Sequence, residues 1–243
     1  MQFLRKLAAR NQNAAEVAPV LIACLGDSVT HGCFDLLVEP DGSFTPHFMA
    51  NEGYAARLVN RLNALYPAGN VSLLNAGISG DGSKGGLSRV ERDVLSRKPD
   101  LVIVNFALND SMNPDPDKNV PVYAQNMKEI FEKILASGAE ALLLTPNFMC
   151  RYVPYLVQGE SLRGVAEKAA KVQNEGILTR YVEAARAVAQ EMNIPVADAY
   201  RRWEQMAAMG VDTTALLSNG INHPTTDMHD IFVEEIMRKV FEA

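Results

Sequence analysis

Short, unbroken apolar runs alternating with helical periods constrain this chain more than any other feature it has. The strongest run is "LVIVNF", Leu101 to Phe106. Four others share its character: "VLIACL" from Val20, "VSLLN" from Val71, "ALLLTP" from Ala141 and "IPVADAY" from Ile194. Between the runs, apolar residues recur at spacings of three and four: Tyr54, Leu58, Leu62 and Leu65, then Leu87, Val90 and Val94, then Met127, Ile130, Phe131 and Ile134. "ILTRYVEAARAVAQEMN" and the closing "HDIFVEEIMRKVFEA" continue the helical pattern. A strand that is apolar on both faces needs cover on both, and strands separated by helices run parallel. The expectation is an α/β chain of three-layer α/β/α architecture, flavodoxin-like, with a five-stranded parallel sheet. Residues 147–175 follow neither period and read as a long loop with one short helix. The opening "MQFLRKLAARNQNAAEVAPV" reads as a frayed amphipathic turn, so an N-terminal extension over 1–19 is expected before one domain over 20–243.

A length of 243 residues is ample for one α/β domain of this kind. The formal charge is −6 and no Lys/Arg tract concentrates positive charge, which disfavours nucleic acid as a partner. No run of about 18 apolar residues is present, so no membrane-spanning helix is expected. Cys24, Cys33 and Cys150 show no paired spacing, and an odd count suits a reducing compartment. Arg10, Asn11 and Gln12 interrupt the place where an export signal would carry its apolar stretch. The expected location is therefore cytoplasmic.

In an open parallel sheet, ligands bind outside the carboxyl ends of the strands. The loops at those ends carry Gly26-Asp27-Ser28-Val29-Thr30, "NAGISGDG" (Asn75 to Gly82) and "ALND" (Ala107 to Asp110), while "NGINHP" brings His223 late in the chain. They supply a hydroxyl, a glycine-rich turn, a carboxamide and an imidazole. That is what acyl transfer requires: a nucleophile, a base near neutral pH to activate it, and donors for an oxyanion. Taken alone, Ser28 is an ordinary turn residue, Asn109 a strand-end cap and His223 a pre-proline loop residue. Asp27 and Asp110 suit loop structuring better than chemistry. The glycines of "GISGDGSKGG" lack the spacing of a phosphate loop. His31 reads as a partly exposed loop residue and His47 as solvated. "DMHD" (Asp227 to Asp230) reads as the first turn of the last helix in preference to a metal site. Trp203, Met206 and Met209 read as one helix face, in the core or at its rim. Phe148, Tyr152 and Tyr155, in the irregular segment from Asn147 to Glu175, are the expected pocket walls.

"GDSVT", "NAGISGD", "ALND" and "HP", in that order and after the expected strands, resemble the four blocks of the SGNH (GDSL-type) hydrolases over roughly Leu21 to Asp230. The resemblance implies an ester hydrolase with Ser28 as nucleophile and His223 as base. Ser28 and Gly80 would offer backbone N–H groups to the oxyanion and Asn109 its side-chain amide. It implies no cofactor, no metal, and a small-molecule ester as partner, of short acyl or acetyl type. Two positions depart from the pattern. Ala107 stands where the third block begins with Gly, and is expected to narrow the pocket without removing the Asn109 donor. Gly220 stands where an Asp normally precedes the histidine by three residues. Asn219, one residue further back, would put an amide in its place; a backbone carbonyl, Asp227 or Asp230 are the other candidates for orienting His223. The missing acid leaves a second reading open, a non-catalytic module that binds a carbohydrate or acyl ligand in the same cleft. The sequence does not fix an oligomeric state.

Overall fold

The computed structural model of the chain describes residues 1–242. In chain order it forms α1 (Gln2–Gln12), β1 (Leu21–Gly26), α2 (Ser28–His31), β2 (Cys33–Val38), β3 (Phe44–Phe48), α3 (Tyr54–Leu65), β4 (Ser72–Gly77) and α4 (Ser83–Asp93). It continues with β5 (Leu101–Asn105), α5 (Leu108–Ser111), α6 (Pro116–Ala136), β6 (Glu140–Leu144), α7 (Glu160–Asn174), α8 (Ile177–Glu191), β7 (Val196–Ala197), α9 (Ala199–Ala208) and α10 (His229–Glu242). The apolar runs pair in parallel in the order β4-β1-β5-β6-β7, giving the expected five-stranded sheet with helices on both faces. β5 is buried at every position, as a central strand covered on both sides must be.

Register sets the site. Gly26 at the end of β1 pairs with Gly77 of β4 on one side and Asn105 of β5 on the other. Three adjacent strands, the edge strand β4 with β1 and β5, therefore end level, and the loops carrying Ser28, Gly80 and Asn109 leave the sheet side by side.

Three segments differ from the sequence expectations. The N-terminal residues form a full helix, α1, whose Phe3 and Leu7 are buried in the common core. Each such side chain contributes about 1.5–3 kcal/mol by burial. Its end is tied down as well: Glu140 accepts from the Gln2 and Phe3 N–H groups, and Lys6 pairs with Asp100 at 2.6 Å. Residues 33–48, not recognised as strands, form an antiparallel hairpin of β2 and β3 outside the main sheet. Asp35 interrupts β2, and Thr45, Pro46 and His47 interrupt β3, so no long apolar run announces it. The irregular segment contains α7, fifteen residues long, whose buried face is built largely from Ala166, Ala169 and Ala170. Alanines carry helix propensity but little hydrophobic signal, which hides the period.

Candidate active site

Ser28 opens α2 directly after the turn at Asp27. The Asp27 carboxylate oxygen Oδ1 accepts from the Val29 N–H at 3.0 Å and starts the helix. The Ser28 Oγ then stands 2.9 Å from His223 Nε2, the hydrogen bond expected of a hydroxyl nucleophile and its base. Both residues are almost enclosed, at 5% and 4% exposure. Burial holds the His223 imidazole neutral by lowering its pKa to about 4, against the opposing pull of the Phe34 backbone carbonyl and the Asp35 charge. Nδ1 makes no hydrogen bond of ordinary geometry.

Gly80 lies in the turn after β4 at φ +79°, a left-handed conformation that glycine adopts without strain. Asn109 follows β5, and its Nδ2 donates to the Asp81 carbonyl at 2.7 Å. That bond engages one of the two amide hydrogens and locks the side chain; the other hydrogen remains for a ligand. Ser28, Gly80, Asn109 and His223 line one cavity of about 300 Å³. The rest of its wall is mainly apolar: Leu36, Phe44 and Pro46 from the hairpin, Val165 from α7, and Ile221.

The expected pocket walls are elsewhere. Phe148 is buried against Tyr200 and Trp203. Tyr152 is half-exposed with its hydroxyl on Asp212, and Tyr155 is 91% exposed. The segment gives the cavity Val165 of α7 and otherwise braces the histidine loop: the Cys150 N–H donates to the Ile221 carbonyl at 2.7 Å and Asn147 Nδ2 to the Asn222 carbonyl at 2.8 Å. Leu36, Phe44 and Pro46 come from the hairpin, which carries no sequence motif of its own.

Asn219 does not meet the His223 ring. Its Oδ1 accepts from the backbone N–H groups of Ile221, Asn222 and His223, and its amide donates to Asn222 Oδ1, so it shapes the loop. Asp227 is exposed, and Asp230 pairs with Arg57 at 3.2 Å. Gly220 explains the missing acid. It sits at φ +65°, and a Cβ there would lie 2.7 Å from Pro154 Cγ and 2.8 Å from Leu156 Cδ1. An aspartate at this position would be strained and without room.

Ala107 has φ +148°, a region that favours glycine. Its methyl is buried in the core and does not reach the cavity, so the departure bears on backbone strain and not on pocket width. Asp110 accepts from both the N–H and hydroxyl of Ser83, starting α4, in keeping with a structural role. His31 is half-buried against Phe48 and His47 is exposed on β3. His229 is spent inside the core, its Nδ1 accepting from the Tyr54 N–H at 3.0 Å. Arg89 gave no signal in sequence. It is buried in α4 and donates to the carbonyls of Gly26 and Ala76 and to Asp81 Oδ2 at 2.7 Å, clamping the end of β1, ahead of Ser28, to the Gly80 turn. Among the described residues, no helix is long and apolar enough to cross a membrane, and no group of three or more His, Cys, Asp and Glu side chains is arranged to hold a metal.

Comparisons with known proteins bear on the family and the fold. A family model described as the GDSL-like lipase/acylhydrolase family matches residues 24–231. The chain is 37% identical to an acetylxylan esterase of Geobacillus stearothermophilus over 86 residues, 35% of this chain and 37% of that protein. It is 31% identical to esterase TesA of Pseudomonas aeruginosa over 128 residues, 51% of this chain and 55% of that one. The matched stretches thus span between about a third and just over half of these two relatives. Among solved structures, a variant of an acetyl xylan esterase from Geobacillus stearothermophilus superposes with a TM-score of 0.67 at 20% identity, covering 91% of this chain and 94% of that one. A two-domain esterase active on acetylated mannans gives 0.67 at 19% identity, covering 99% of this chain and 52% of that one. At these identities the structural likeness concerns the fold.

Proposed function

The chain belongs to the GDSL-like lipase/acylhydrolase family, and from that premise we propose that it is a serine ester hydrolase working through an acyl-enzyme on Ser28. The observation that carries the reading is the 2.9 Å hydrogen bond between Ser28 Oγ and His223 Nε2, at the edge of a cavity that also presents Gly80 and Asn109. His223 is neutral at ordinary pH and so free to accept the Ser28 proton as Oγ attacks the ester carbonyl. The Ser28 and Gly80 N–H groups and the second Asn109 amide hydrogen would receive the oxyanion. The proton held on Nε2 then passes to the leaving alcohol. In the second half, His223 takes a proton from water, hydroxide attacks the acyl carbonyl, and Ser28 departs as a neutral hydroxyl.

A cavity of about 300 Å³ with Leu36, Phe44, Pro46 and Val165 on one side suits a short acyl group. Acetyl esters are the first substrates to try, since two of the similar proteins are acetylxylan and acetylated-mannan esterases by name. A non-catalytic binding module is the second reading, and the absence of an acid at Gly220 is what favours it. A fluorophosphonate probe with mass-spectrometric site location separates the two. Modification of Ser28, slowed in His223→Ala and paired with turnover of p-nitrophenyl acetate that Ser28→Ala abolishes, is the expected result. Folded protein that neither labels nor turns over any ester from acetyl to octanoyl would overturn the hydrolase.

A further inference from the structure

We propose that Asp35, carried on the hairpin strand β2, supplies the negative charge that stabilises the His223 imidazolium, in place of the acid that cannot fit at Gly220. The inference rests on the hydrolase reading and concerns its base.

Enclosure that keeps His223 neutral at rest also opposes its protonation in the transition state, so some group must favour the cation. The neighbouring elements leave few candidates. Asp27, beside the nucleophile, is so deeply buried that its carboxyl is pushed up to about 7. His229 of α10 is held neutral by burial, to about 3. Asp230 is paired with Arg57, and Asp227 is exposed. Asp35 is the carboxylate that, among the described residues, hydrogen-bonds into the histidine loop, through Ser218, and its charge and the neighbouring Phe34 backbone carbonyl both favour the protonated ring.

Two features hold it in place. First, Asp35 Oδ1 accepts from Ser218 Oγ at 3.0 Å, and the Ser218 N–H donates to the His223 carbonyl at 2.7 Å. The carboxylate is thus tethered through one residue to the main chain of the base itself. Second, the hairpin register shifts between Cys33 and Asp35: Cys33 faces Phe48, while Asp35 faces His47. Phe34 is the extra residue of a bulge, which frees its carbonyl from the ladder and re-aims the strand toward the site. Only the residues from Ser28 to Asp35 separate nucleophile from charge, so one short segment fixes both relative to His223.

Asp35 is a positioning residue acting through His223, not a group that touches substrate. Asp35→Asn keeps an acceptor for Ser218 and removes the charge. Its kcat on p-nitrophenyl acetate should fall about tenfold with KM little changed, the equivalent of one pKa unit. Asp35→Glu should recover part of the loss. The direct readout is the NMR titration of the His223 ring in a Ser28→Ala background, where Asp35→Asn should lower the ring pKa by at least half a unit. A ring pKa and kcat both unchanged by Asp35→Asn would overturn the proposal, as would an equal loss in Asp35→Asn and Asp35→Glu with the ring pKa unmoved. The titration needs no turnover. A wild-type protein without esterase activity would therefore sink the hydrolase reading while the role of Asp35 stays measurable.

Discussion

Replacing Arg89 with methionine tests how the β1 end that leads to Ser28 and the Gly80 turn are held together. The guanidinium is buried, with Nε on Asp81 Oδ2 at 2.7 Å, Nη1 on the Ala76 carbonyl at 2.6 Å and Nη2 on the Gly26 carbonyl at 3.0 Å. The losses are unequal. Asp93, whose Oδ2 lies 3.5 Å from Nη1, keeps Arg92, and the Gly26 carbonyl keeps the Ile78 N–H. Asp81, 15% exposed at its side chain, keeps only the Gly82 N–H, and its charge would be left without a cation. Breaking a buried pair from one side costs about 3–5 kcal/mol, and methionine returns part of the lost packing. In a chain of this length that corresponds to a fall in Tm of about 6–20 °C. Equilibrium urea unfolding followed by circular dichroism measures the stability, and ester turnover measures the site. Because Asp81 adjoins Gly80 and receives the Asn109 amide, kcat should drop at least tenfold even in samples that remain folded. Adding Asp81→Asn to Arg89→Met should restore part of the stability, since no unpaired charge then remains. A loss below about 1 kcal/mol, or no recovery in the double variant, would refute the clamp.

Three further outcomes follow from the same geometry. Asn109→Ala should lower kcat by about 10²–10³ with little change in KM, as removal of one oxyanion donor does; steady-state kinetics on p-nitrophenyl acetate would expose a KM effect instead. Stability should fall as the pH drops from about 6 to about 4, because unfolding lets His223 and His229 take up protons that the folded state refuses. Asp27 opposes this, holding its proton in the folded state up to about 7, so these three groups leave a slope near one proton, about 1.4 kcal/mol per pH unit; the raised Asp110 lessens it and the lowered His31, Asp41, Asp93, Asp212 and Glu242 add to it. Asp27→Asn should steepen the slope towards two protons, and urea midpoints across that range would show no steepening if Asp27 ionises normally. Ala107→Gly should gain about 1 kcal/mol, the relief of a strained φ less the added freedom of the unfolded chain. A thermal melt showing a loss would contradict the strain.

The sheet was legible in the sequence because a buried parallel strand must be apolar on both faces, and "LVIVNF" or "VLIACL" can hardly be anything else. The candidate site was legible because Ser28, Gly80, Asn109 and His223 each follow a strand end or stand in a short local pattern. Their convergence needed only the level register of β1, β4 and β5. Three-dimensional packing decided the rest. α7 buries alanines, α1 is held by two side chains and a distant carboxylate, and the hairpin walls the cavity without an apolar run of its own.

The orientation of the base shows the division most plainly. The sequence determined that Gly220 stands where an acid is usual, and pointed to Asn219, Asp227 and Asp230 because they lie near His223 along the chain. Only the tertiary structure decided that Pro154 and Leu156 occupy the space an acid would need, and that Asp35, 188 residues earlier, hydrogen-bonds to Ser218 of the histidine loop, which makes it the proposed source of charge. The reason is physical. Strand burial and turn chemistry act between neighbours and leave a local record in sequence, whereas electric fields and steric exclusion depend on distance in space, which the order of residues does not record.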